Sequence, residues 1–128
     1  MIQPIETIKI FKSQPEITVS KGEIIFRDKE KGTVMYGIIK GEVEMYVDDQ
    51  LVEIIEEGDI FGQGALVHED YSRASTAIAK TDCKLAVLDR DRFLFVVQQT
   101  PMFALGVMRS YSDRHRRLKS VMNGLIDI

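Results

Sequence analysis

Residues 58–66 run Gly58-Asp59-Ile60-Phe61-Gly62-Gln63-Gly64-Ala65-Leu66 and set three glycines within seven positions. A polar loop from His68 to Ser72 follows, then Arg73 and the small residues Ala74, Ser75, Thr76 and Ala77. Small residues let a backbone approach a ligand closely, and successive N–H groups at the start of a short helix attract an anion. An arginine aimed at the same point adds a planar fork suited to phosphate oxygens. The spacing therefore predicts a phosphate-cradling loop closed by Arg73. Glycine-rich turns are common, so the pattern by itself points to an anion and not to a particular one. The competing reading is a plain turn, with Gln63 on the surface and Arg73 paired to Glu69 or Asp70.

No second constellation asks for chemistry. His68-Glu69-Asp70 are adjacent loop residues that rarely converge on one ion, and no other cluster supplies further ligands, so no metal site is expected. Each of the two histidines, His68 and His115, stands without a motif. Glu56-Glu57 beside a turn read as solvent-facing charge rather than acid/base machinery. The single cysteine, Cys83, sits in a strand-like run and reads as a small buried hydrophobe. The chain is expected not to be an enzyme and to hold no cofactor of its own. The basic run Arg114-His115-Arg116-Arg117 with Lys119 spreads around a helix, where Asp113 can pair with Arg117 four residues on. With 17 Lys+Arg against 20 Asp+Glu, net −3, direct DNA binding by overall positive charge is not expected.

Short strands must position the glycine loop. Val43, Met45 and Val47 alternate with Glu42, Glu44 and Tyr46, the two-residue period of a half-buried strand. Ile24 and Phe26, Val52 and Ile54, and Cys83, Leu85 and Val87 mark further strands. Lys21-Gly22, Lys31-Gly32, Lys40-Gly41, Asp48-Asp49 and Gly58-Asp59 separate the runs. Seven or eight strands so closely spaced predict an antiparallel sandwich or small barrel. Before them, Ile5, Ile8 and Phe11 suggest a short entry helix over 5–13.

After Asp89 the period turns helical. Phe93, Val96 and Val97 share a face, Thr100-Pro101 interrupts, and a second helix runs from about Met102 to Leu125. Val107, Tyr111, Arg114, Leu118, Val121 and Leu125 follow a heptad rhythm that Arg114 breaks. Two readings stand side by side: a homodimer seam, or a stripe packed on the chain's own barrel. A length of 128 residues, 45% hydrophobic and 29% charged, suits one globular domain. No apolar run approaches the roughly 18 residues of a membrane span, and the start lacks a basic-then-apolar leader. A cytoplasmic protein with no membrane partner is expected.

The stretches 22–27, Met35-Tyr36-Gly37-Ile38-Ile39-Lys40-Gly41-Glu42-Val43 and 58–62 resemble the cyclic nucleotide-binding domain family, which includes the bacterial cyclic AMP receptor protein and protein kinase A regulatory subunits. That family's phosphate-binding cassette reads Phe-Gly-Glu-x-Ala-Leu, a loop, then Arg-x-Ala-Thr-x-x-Ala. This chain has Phe61-Gly62-Gln63-Gly64-Ala65-Leu66, then Arg73-Ala74-Ser75-Thr76-Ala77-Ile78-Ala79. The similarity spans about Ile17 to Leu125. It implies a mainly β fold: an eight-stranded antiparallel jelly-roll barrel (double-stranded β-helix), a short N-terminal helix and two C-terminal helices. One domain would cover 1–128, with the barrel about 17–89, the helices about 90–125, and no DNA-binding or other output domain.

By resemblance, Arg73 pairs with the cyclic phosphate, and backbone N–H groups of Gly64, Ala65 and Leu66 join it. Phe61, Gly62, Ala74 and Ser75 complete the ligand-binding set. Where the family has a glutamate for the ribose 2′-hydroxyl, this chain has Gln63, a neutral acceptor, which implies weaker binding. Ala74 stands where cyclic GMP-selective members tend to carry Thr, which favours cAMP over cGMP. The last helix would cap the base through a polar residue between Tyr111 and His115, carry the signal and form the homodimer seam. Output would pass to an unknown downstream protein. The alternative is a degenerate, ligand-free module acting as a dimerisation scaffold.

Overall fold

The computed structural model describes residues 4–126 apart from 69 and 71. The chain opens with helix α1 (Pro4–Lys12), followed by strands β1 (Glu16–Val19), β2 (Ile24–Phe26), β3 (Val34–Lys40), β4 (Val43–Val47), β5 (Gln50–Ile55) and β6 (Ile60–Phe61). A short helix α2 (Gly64–Val67) fills the glycine loop. Strands β7 (Thr76–Ala79) and β8 (Cys83–Asp89) then lead into helices α3 (Arg90–Gln99) and α4 (Met102–Ile126).

All eight expected strands form, but they do not close into one hydrogen-bonded barrel. They make two antiparallel four-stranded sheets, ordered β1-β8-β3-β6 and β2-β7-β4-β5. With β2 three residues long and β6 two, the ladders end before one sheet can continue into the other. The result is the double-sheet form of a jelly roll. Local chemistry fixes its corners. At the β4–β5 hairpin, Asp48 and Asp49 both take positive φ, 50° and 65°, the tight two-residue turn whose twist matches its strands.

Two apolar clusters hold the fold. Phe26, Ile38, Val43, Ile55, Phe61 and Leu85 fill the space between the sheets. A second cluster, with Phe11, Met35, Leu88, Val96 and Phe103, lies between β3, β8 and the helices α1, α3 and α4. Strands β3 and β8 therefore bury both faces, which is why their sequences run almost continuously apolar. Asp89 starts α3 by accepting from Arg92 N–H at 2.8 Å, and Thr100-Pro101 separates it from α4. Phe103, at the start of α4, meets Phe11 edge-on at 6.3 Å. The root of α4 is thus anchored in the second cluster while its later turns extend over the mouth of the sandwich.

Candidate functional site

A cleft of about 1080 Å³ opens between the glycine loop, strand β5 and helix α4. Of the residues expected at the site, Phe61, Gly62, Gln63, Gly64, Ala65, Arg73, Ala74 and Ser75 line it. Leu66 does not: its side chain packs against the helix-side cluster. The loop owes its shape to Gly62, whose φ of +73° swings the chain out of β6. Gln63 is already helical at φ −69°, ψ −17°, and its side chain caps nothing. In this state the Ala65 N–H is turned toward Gly62 O at 3.3 Å and the Leu66 N–H toward Gln63 O at 3.0 Å.

Arg73 is fixed from its backbone outward. Its N–H donates to Glu30 O at 2.9 Å and its carbonyl accepts from Lys29 N–H at 2.8 Å. The side chain is 6% exposed. Its Nη1 donates to Gly62 O and its Nη2 to Val34 O, both at 2.8 Å. The guanidinium carbon lies 4.2 Å from the centroid of the Phe26 ring, and Phe26, Tyr36 and Phe61 stack beside one another. These contacts occupy two of the five N–H donors of a guanidinium, and the buried Nε has no partner among the described residues. No carboxylate of those residues pairs with it. Asp70 instead accepts from Ser72 N–H at 3.1 Å, and residue 69 lies outside the described set.

Burial pushes the Arg73 pKa down from its ordinary value, with the Tyr36 and Glu30 side chains opposing the shift. Burial likewise raises the Tyr36 phenol, against the pull of Arg73. A guanidinium remains charged under such conditions. A buried cation with free donors and no ion-paired carboxylate among the described residues is an incomplete electrostatic arrangement, and an anion in the cleft would complete it.

Helix α4 forms the far wall. Tyr111, Arg114, His115, Leu118 and Val121 border the cleft, while Tyr111, Leu118 and Val121 stay 48%, 55% and 62% exposed, so the sandwich does not cover the heptad stripe. The residue that breaks the stripe has a partner there. Arg114 Nε lies 3.0 Å from Glu53 Oε1 as an ion pair without hydrogen-bond alignment, and its Nη2 lies 3.3 Å from Asp59 Oδ1. The same Nη2 donates to Ile60 O, and Ser110 Oγ donates to Asp59. Sequence reasoning missed this clamp and the aromatic bed under Arg73. Its one available signal was a lone arginine in an apolar rhythm.

A profile of the cyclic nucleotide-binding domain matches residues 16–100. The chain belongs to the cyclic nucleotide-binding domain family. Among curated proteins, the cAMP-dependent protein kinase regulatory subunit of Eremothecium gossypii is 40% identical over 84 residues, 66% of this chain and 18% of that protein. The chain therefore corresponds to less than a fifth of that relative's length. Among solved structures, the c-di-GMP-responsive global regulator CLP of Xanthomonas campestris superposes with a TM-score of 0.81 at 20% identity, covering 95% of this chain and 64% of that one. The catabolite activator protein of Thermus thermophilus gives 0.74 at 21%, covering 97% and 60%. At such identities the two structures establish the shared fold. Within the described residues, no helix of this cyclic nucleotide-binding domain is long and apolar enough to cross a membrane.

Proposed function

We propose that the cleft binds a cyclic nucleotide, cAMP in preference to cGMP, and that the domain is regulatory rather than catalytic. The observation that carries this reading is Arg73: a buried cation lining the cleft, with no carboxylate partner among the described residues and an Nε that bonds to none of them. A cyclic phosphate carries one negative charge on two free oxygens, which suits a guanidinium already oriented by two carbonyls. Gln63 would accept from the ribose hydroxyl, with Ala74 and Ser75 beside the phosphate. Tyr111 and His115, which line the cleft on its α4 side, would meet the base. Family membership and a cAMP-dependent relative support the ligand class.

Ligand in the cleft would touch both the glycine loop and α4, and the difference in its contacts between two α4 positions would drive signalling. The receiver would be a separate protein or a further segment of a longer chain. Calorimetric titration with cAMP and with cGMP tests the proposal. Saturable binding is expected, tighter for cAMP, and Arg73→Ala should weaken it about a hundredfold through loss of charge-assisted bonds. Absence of heat and of any thermal shift at millimolar nucleotide would remove the ligand reading.

A further inference from the structure

We propose that Gly32 is a positioning residue for anion capture, because it leaves open the socket in which the Arg73 guanidinium is oriented. The inference rests on the reading of Arg73 as the phosphate-binding group. Gly32 lies half-buried in the loop between β2 and β3, and that loop wraps the arginine: Glu30 O accepts from its backbone N–H and Val34 O from its Nη2. A Cβ at position 32 would stand 2.4 Å from Arg73 Nη2, 2.5 Å from Nε and 2.6 Å from Cζ. No side chain fits there while the guanidinium does.

The backbone does not itself demand glycine. Gly22, Gly41, Gly58 and Gly62 adopt positive φ, whereas Gly32 is not among them. What position 32 supplies is space. The socket has a consequence for charge as well. The guanidinium is aimed by two neutral carbonyls and the Phe26 ring, and no carboxylate of the described residues forms an ion pair with it, so its donors are not already committed to an anion. An alanine methyl would displace the guanidinium, the far end of a flexible side chain, before it displaced the backbone. Orientation would be lost while the fold stayed.

Gly32→Ala is the test, read in two ways, with Thr33→Ala as a control whose side chain is exposed. Calorimetry with cAMP should show at least a tenfold loss of affinity for Gly32→Ala and none for Thr33→Ala. Without nucleotide, the Arg73 Nε–H proton resonance should exchange slowly with water in the wild type and in Thr33→Ala, and be lost in Gly32→Ala. Unchanged affinity together with a slowly exchanging Nε–H in Gly32→Ala overturns the proposal. If the wild type does not bind cAMP, the ligand reading fails and the Nε–H comparison alone decides the socket. If Gly32→Ala does not fold, the double variant Gly32→Ala/Arg73→Ala decides. Recovery of the fold supports the socket, since the methyl then has nothing to meet; continued failure shows that the glycine serves the backbone and overturns it.

Discussion

Arg73 and Gln63 stand on the same cleft wall and contribute opposite things to it. Arg73 brings a fixed charge; Gln63 brings a neutral amide where a carboxylate would accept more strongly from a hydroxyl. Its side chain caps nothing at the start of α2, so it is free to serve a ligand. Hydrogen bonds to a charged partner exceed neutral ones by about 1 kcal/mol, so Gln63→Glu should tighten cAMP about fivefold in calorimetry. An unchanged Kd would mean that residue 63 does not meet the ribose. Both residues were legible in the sequence because the cassette is a local string with fixed spacing. The bed of Arg73 was not. Val34 lies 39 residues away and contributes a backbone carbonyl, which has no side-chain signature. Phe26 and Tyr36 alternate like ordinary strand residues, and only the packed sheets bring them under a cation.

Among the elements, α4 shows how one pattern can carry two meanings. A heptad stripe marks an apolar face whether that face meets a partner or its own sandwich, so periodicity left both open. Here Tyr111, Leu118 and Val121 border the cleft but keep about half or more of their surface exposed, which leaves both meanings standing, and Arg114 turns the interruption into an attachment to β5 and the turn before β6. Arg114 has an 11% exposed side chain and its two acidic partners 30%, so solvent screening weakens the pairing without abolishing it. Arg114→Ala should cost about 1 kcal/mol and lower Tm by about 4 °C. The more telling readout is local. Amide hydrogen exchange over 111–124 should accelerate, while exchange in β3 and β8 stays as in the wild type. Uniform acceleration across the chain would show that Arg114 supports the fold at large and not the seat of α4. If only the seat of α4 is lost, the root of the helix should hold, because Phe103 is buried against Phe11.

At the scale of the whole molecule, strand number and order of elements were legible, and the split into two sheets was not. Turn spacing counts strands but does not report how far each ladder extends, and β2 and β6 are too short to bridge the edges. The inter-sheet core also places Cys83 at one end of the sandwich, 4% exposed, with Sγ 3.2 Å from Thr81 O and 3.3 Å from Glu42 O just before β4. One S–H proton serves those carbonyls, and a thiolate would face them with only the Thr81 hydroxyl, 4.0 Å away, able to donate to it. Burial accordingly raises the Cys83 pKa above its ordinary 9.0, with only the Thr81 hydroxyl opposing the shift from a donor position, and burial raises the Tyr36 phenol above 10.0. For a group whose folded pKa is raised, the native state binds more protons than the unfolded chain once pH passes the unfolded value. Its stabilising contribution is complete below that value and is lost as pH climbs toward the folded one. Stability should therefore decline from about pH 9 upward, with Cys83 contributing a slope of at most about 1.4 kcal/mol per pH unit and Tyr36 adding its share above about pH 10. Chemical denaturation of wild type and Cys83→Ala, measured from pH 7 to 10.5, separates the two. The variant starts less stable because it leaves a void, yet its curve should be flatter between pH 9 and 10. Parallel curves through that interval would mean that the thiol titrates alike in folded and unfolded chains, and would place the alkaline limit elsewhere in the molecule.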